Sequence, residues 1–143
     1  MRGQSTRQMN NSDVQRFERI LKMRLEQTIR SIDRLQDETR SIESDSPSDS
    51  ADQCVMSVSK EALFHQSGER RVMVRRIEAA LGRIQQGMFG ICIACGDDIN
   101  PRRLEALPWT QYCLDCQEDV ERSEIREHQA GLINRQTALR KAG

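Results

Sequence analysis

At 143 residues the chain has room for one small domain, or for a small domain with an extended attachment. Only 3% of its residues are aromatic and 36% hydrophobic while 31% are charged, a balance that argues against a thick multilayer core and a deep enclosed catalytic pocket. The 22 basic and 22 acidic residues cancel, which removes the overall cationic excess that grips phosphate backbones.

Residues 1–11, MRGQSTRQMNN, are polar and aperiodic and read as a disordered tail. They contain no apolar run of the kind a secretory signal needs, and no stretch of the chain approaches the roughly 20 apolar residues that span a bilayer, so a cytoplasmic protein with no membrane partner is expected. A helix is predicted from residue 12, because Asn11, Ser12 or Asp13 can cap it by accepting from an otherwise unpaired amide. Leu21, Leu25, Thr28, Ile32, Leu35, Thr39 and Ile42 then recur at alternating spacings of four and three, a heptad seam diluted by two threonines. With neither Pro nor Gly in 12–43, this helix can reach about 45 Å at roughly 1.5 Å per residue.

The pattern stops at Ser44–Asp52, a stretch rich in turn formers in which Pro47 disfavours helical geometry at Ser46. Residues 44–54 hold three acidic groups and no basic one, an island between flanks of modest positive excess. A second helix is predicted from Ser48–Ser50, where Ser50 and Gln53 fit a capping box. Its apolar stripe comprises Leu63, Val74, Ile77, Leu81, Ile84 and Met88, weakened by Ser67 and Arg70. Two such stripes joined by a short turn imply an antiparallel coiled-coil hairpin over 12–88, with the acidic island at its tip. The turn argues against the alternative, a parallel dimer of long helices, so the expected state is a monomer.

Gly87-Met-Phe-Gly90 leads into Cys92-Ile-Ala-Cys95, and 17 residues later comes Cys113-Leu-Asp-Cys116. Reduced cytoplasmic thiols in two such pairs are metal ligands rather than disulfides. Each knuckle presents two thiolates on one side of a tight turn, aided here by Gly96, and two knuckles complete a tetrahedral zinc site. Four thiolates leave no open position, so a single structural Zn²⁺ is expected from Cys92, Cys95, Cys113 and Cys116. A redox role for the dithiols lacks a thioredoxin-like βαβ setting. The finger, 89–117, has few apolar residues besides Ile99, Leu104, Leu107, Trp109 and Tyr112, so zinc is expected to supply most of its stability, on the order of 10 kcal/mol. Residues 118–143 read as a C-terminal helix with a frayed end, helix-compatible from Gln117 to Arg135. The fold class is mostly α: a two-helix hairpin, a small four-cysteine globule and a terminal helix.

Gly-x-Phe-Gly-x-Cys-x-x-Cys-Gly at 87–96, Ile99, Arg103-Leu-Glu-Ala-Leu-Pro108 and Cys113-x-x-Cys resemble the DksA/TraR family of bacterial zinc-finger transcription regulators. The resemblance runs from the first long helix to the helix after Cys116. It implies a protein that binds RNA polymerase rather than DNA, inserting its hairpin into the secondary channel so that a tip motif Asp-x-x-Asp-x-Ala alters open-complex stability near the catalytic centre. Asp49 and Asp52 match that motif, and Cys54 stands at the Ala position. The physical alternative for the two acids is simple complementation of a helix N-terminal dipole. The resemblance also implies a response to guanosine tetraphosphate. Arg76 matches a basic position for it, but Leu107 and Gln117 stand where the family has Arg and Lys, so little nucleotide cooperation is expected.

The remaining signals are weaker. Cys54 is either a redox-active thiol at a helix N-terminus, opposed by two nearby acids, or a small apolar filler in the Ala position. Arg70, Arg71, Arg75 and Arg76 are the densest basic cluster, readable as a solvated helix face or as a contact with the polymerase or the nucleotide. His65 and His128 read as solvated helix residues, Trp109 as a packing or interface ring, and Gly82–Gly87 lacks the Lys and Ser/Thr of a P-loop. The function expected is therefore a non-enzymatic regulator. The alternative, a DNA-binding regulator using the four-cysteine finger, meets Glu118, Asp119, Glu121, Glu124 and Glu127 in the helix after Cys116, which would repel phosphate.

Overall fold

The structure, a computed structural model, describes residues 9–44 and 49–141, with 131–141 as backbone alone. The expected tail thus lies outside the described residues up to Gln8, but its last residues are built into the fold. Met9 packs against the core, and the Asn10 side chain accepts from the Asp13 amide at 2.8 Å. That bond to the third helical residue makes Asn10 the cap, so α1 (Asn11–Ser44) begins one residue before the expected start.

Helix α2 (Ser50–Gln85) runs back along α1. Near the turn, Lys60 Nζ lies 3.9 Å from Glu43 Oε1; at the other end Phe17 and Leu21 share a cluster with Ile77 and Ala80. The pairing is therefore antiparallel, and at 1.5 Å per residue the hairpin is about 50 Å long. The cap of α2 is Asp49 rather than Ser50: its Oδ1 accepts from Ala51 N at 2.9 Å and Asp52 N at 3.0 Å. Residues 45–48, including Pro47, lie outside the described residues.

The heptad seam faces the partner helix as its spacing requires. Thr28 is 4% exposed and Leu25, Ile32, Leu35, Thr39 and Ile42 are half-buried. The two threonines sit in an apolar seam without unpaired hydroxyls, because Thr28 donates to Arg24 O at 2.7 Å and Thr39 to Leu35 O at 2.8 Å. On α2, Leu63, Ile77 and Ala80 are buried and Val74, Leu81 and Ile84 half-buried. Met88 is an exception to the expected stripe. Helix α2 ends before it, in a Schellman turn where Gly87 takes φ +70°, Gly87 N donates to Ile84 O and Met88 N to Arg83 O. The seam's periodicity ends with the helix, leaving Met88 exposed while Phe89 turns inward.

Two further helices follow, one short and one long. Helix α3 (Pro101–Ala106) went unexpected; Asn100 caps it through Arg102 N, and Pro101 occupies its first position, where a missing N–H is harmless. Helix α4 (Leu114–Lys141) starts inside the second cysteine pair, earlier than the expected 117–118. Along the distal seam the two helices bury Thr28 and Leu63 and leave the other positions half-buried. Complete burial occurs at the hairpin's base, where the finger adds a third layer: Leu21, Ile77, Leu104 and Cys92 all join one core with Phe17, Phe89 and Ile99. Phe17 and Phe89 pack with ring centroids 5.4 Å apart. Among the described residues no helix is long and apolar enough to cross a membrane.

Gly68 sits mid-helix in α2 with nothing within 4 Å of where a Cβ would stand. Gly68→Ala is therefore expected to stabilise the hairpin by about 1 kcal/mol, read as a higher urea midpoint at unchanged slope.

Candidate functional site

The first knuckle is a tight loop shaped by backbone hydrogen bonds. Cys92 N donates to Asp97 O at 2.8 Å, Gly96 N to Cys92 O at 3.0 Å, and Ile99 N to Gly90 O at 2.7 Å. Gly96 turns the chain at φ +78°, a conformation that side chains with a Cβ rarely adopt. The second knuckle is made differently. Cys113 precedes α4 and Cys116 lies in its first turn, with Gln117 N donating to Cys113 O at 3.0 Å, so the positive end of the helix faces the pair. Ile93 N donates to Gln111 O at 3.0 Å and joins the two knuckles.

The four sulfurs converge. All lie within 4.8 Å of one another, and Cys95 Sγ is 3.8 Å from Cys113 Sγ. A tetrahedral ion with Zn–S of about 2.3 Å requires sulfur separations of about 3.8 Å, so the cluster fits zinc. Its electrostatics fit as well. Burial raises the Cys92 thiol, but backbone N–H groups of Cys95, Cys113 and Ala94 outweigh it and leave the thiol lowered to about 6. Cys95 is raised although the Asp97 amide lowers it, because desolvation and the Cys92 and Cys113 thiols oppose that amide. Cys116 is raised mainly by its hydrogen bond with Cys113, then by desolvation. The Cys92 thiolate is thus favoured, and Cys95 and Cys116 hold protons that a dication displaces. Cys92, Cys95, Cys113 and Cys116 form the site of one structural zinc ion.

Toward the far end of the hairpin, Asp49 and Asp52 are both exposed, separated by less than one helical turn. Asp49 spends one carboxylate oxygen on two amides, so the capping role is real. Cys54 is exposed there too and fills no interior, contrary to its reading as an apolar filler.

The basic cluster does not act as one unit. Arg70, Arg71, Arg75 and Arg76 are all exposed, but only Arg76 lines a groove of about 740 Å³ between the hairpin, the finger and the start of α4. Leu107 and Gln117 line the same groove, so three positions distant in sequence come together. Arg103, missed by sequence reasoning, is the second cation there, and Glu118, Glu121 and Glu124 bring three carboxylates. Arg103 also donates from Nε to Tyr112 O at 3.1 Å. Trp109 lines the groove, with the Arg24 guanidinium 5.8 Å from its ring centroid. His65 and His128 are exposed helix residues.

The sequence profile of the prokaryotic dksA/traR C4-type zinc finger matches residues 87–122. An uncharacterised protein of Aquifex aeolicus is 42% identical over 80 residues, which cover 56% of this chain and 55%, about half, of that protein's length. The RNA polymerase-binding transcription factor DksA of Haemophilus influenzae is 31% identical over 125 residues, covering 85% of this chain and 81% of the relative. The solved structure of transcription factor DksA2 from Pseudomonas aeruginosa superposes with a TM-score of 0.73 at 24% identity, over 85% of this chain and 93% of that one, and shows the same fold. Hairpin, four-sulfur finger and residue identity along most of the length agree: the chain belongs to the DksA/TraR family of zinc-finger proteins.

Proposed function

We propose that this chain is a non-enzymatic cytoplasmic regulator that binds RNA polymerase as a monomer. In this reading it extends its hairpin through the secondary channel and alters open-complex stability with Asp49 and Asp52. The observation that carries this is the placement of the acids. They are exposed where α2 begins, at the opposite end of a rod about 50 Å long from the finger. The relative named as an RNA polymerase-binding transcription factor aligns over the hairpin as well as the finger, which supports the same partner here. Carboxylates on a slender rod reach a recess that a rounder protein cannot enter, and there they shift the potential felt by basic groups or a bound divalent ion without any catalysis of their own.

A photo-cross-linker placed at position 54 tests the geometry. Captured polymerase peptides are expected to line the channel close to the catalytic centre. Capture confined to the enzyme's outer surface would refute the insertion.

The groove carries a second expectation. Guanosine tetraphosphate needs converging cations, whereas Leu107 and Gln117 offer none and Glu118, Glu121 and Glu124 repel phosphate. Polymerase binding is therefore expected to change little when the nucleotide is added. A titration with and without it decides, and strong enhancement would overturn the expectation.

A further inference from the structure

We infer that Arg83 is a positioning residue for the zinc site: it fixes the second cysteine pair from the hairpin and thereby links metal occupancy to the packing of the hairpin's base. The segment entering Cys113 is held by three successive carbonyls, each accepting from a different element. Thr110 O accepts from Arg83 Nη2 at 2.9 Å, Gln111 O from Ile93 N at 3.0 Å, and Tyr112 O from Arg103 Nε at 3.1 Å. Two of these donors belong to the finger itself. Among these three donors, Arg83 alone belongs to the hairpin.

Its own backbone is well anchored, because Arg83 O accepts from Met88 N at 2.9 Å in the Schellman turn that closes α2. The guanidinium is committed too. Nε and Nη1 are buried without a hydrogen-bond partner among the described residues, and burial lowers the group's pKa. An arginine enclosed in this way stays charged, and its remaining bond to Thr110 O is charge-assisted. The bond exists only while the segment before Cys113 is ordered, and the metal orders it. By reciprocity, the factor by which this contact strengthens zinc binding is the factor by which zinc strengthens the hairpin's base.

The test uses the full chain as wild type, Arg83→Met and Arg83→Lys. Zinc affinity is measured by competition with a chromophoric chelator, and helical melting is followed for zinc-loaded and zinc-stripped protein. Arg83→Met is expected to weaken zinc about tenfold, the low end for residues that orient metal ligands. It should lower the loaded melting midpoint and leave the stripped one in place. Arg83→Lys, which keeps a charged donor, should recover part of both effects. Equal lowering of the two midpoints with wild-type zinc affinity would reduce Arg83 to ordinary packing and overturn the inference. If Arg83→Met does not fold, Arg83→Lys decides: an affinity between wild type and tenfold weaker, with a smaller gap between midpoints, supports the link, and wild-type values for both refute it.

Discussion

Removing zinc, by chelation or by Cys92→Ser, is expected to unfold the finger while much of the hairpin stays helical. Structural zinc in small sites contributes on the order of 10 kcal/mol, more than the finger's few apolar side chains can replace. The loss should not stop at the finger. Cys92 is 1% exposed and shares a core with Phe17, Leu21, Ile77 and Leu104, so the hairpin's base loses its third layer along with the metal. The distal seam around Thr28, Ile32 and Leu63 lies outside that core cluster and should persist. Amide exchange resolves the two regions: protection is expected to vanish over 89–117, weaken near Ile77 and remain near Leu63. Retention of finger protection without metal would show that apolar packing suffices. Acid should act in the same direction. Cys95 and Cys116 are raised above the ordinary thiol value, so both are protonated near neutrality and must each release a proton to bind metal. Zinc affinity is therefore expected to rise with pH near neutrality, and to fall more steeply below about pH 6 as the Cys92 thiolate also takes up its proton.

The parts of this fold with a period were legible in the sequence. Leu21 through Ile42 announce a helix face by their spacing, and the two cysteine pairs announce a metal by theirs. Caps were harder, because Asn10, Asn11, Ser12 and Asp13 are all chemically able to cap, as are Asp49 and Ser50. Which one does so depends on where the chain enters the helix, and Met9 fixes that through packing on the finger. Helix α3, at six residues, is too short to show a period; only Asn100-Pro101 marks it. The shared core was invisible for a different reason. Phe17, Ala80, Phe89 and Leu104 come from four segments, and no local pattern states that the finger closes over the hairpin's base. The roles of Arg83 and of the motif residue Arg103 escaped notice likewise, since what distinguishes them from other arginines is the carbonyl each one reaches. A basic residue in the last turn before a helix-ending glycine, as at Arg83 and Gly87, was the available hint.

Asp49→Asn combined with Asp52→Asn is expected to leave polymerase binding intact and abolish most of the effect on transcription. Asparagine caps helices about as well as aspartate, so the bonds from Ala51 N and Asp52 N survive and α2 keeps its start. The change to the free protein is limited to two favourable charge–dipole terms of roughly 0.3–1 kcal/mol each. Near a cationic centre the same substitution is much larger. A carboxylate about 4 Å from a unit positive charge gains roughly 4 kcal/mol at an effective dielectric of 20, and half of that already exceeds a tenfold change in rate or equilibrium. The charge reading and the capping reading therefore diverge. If the acids act through charge, the double Asn protein is folded, bound and inactive. If they only cap, it behaves as wild type, whereas Asp49→Ala, which loses the cap, is destabilised by about 1 kcal/mol and loses activity in proportion. Transcription in vitro with purified polymerase, run beside a binding measurement on all three proteins, separates the two: wild-type activity from the double Asn protein would leave Asp49 and Asp52 as structural residues alone.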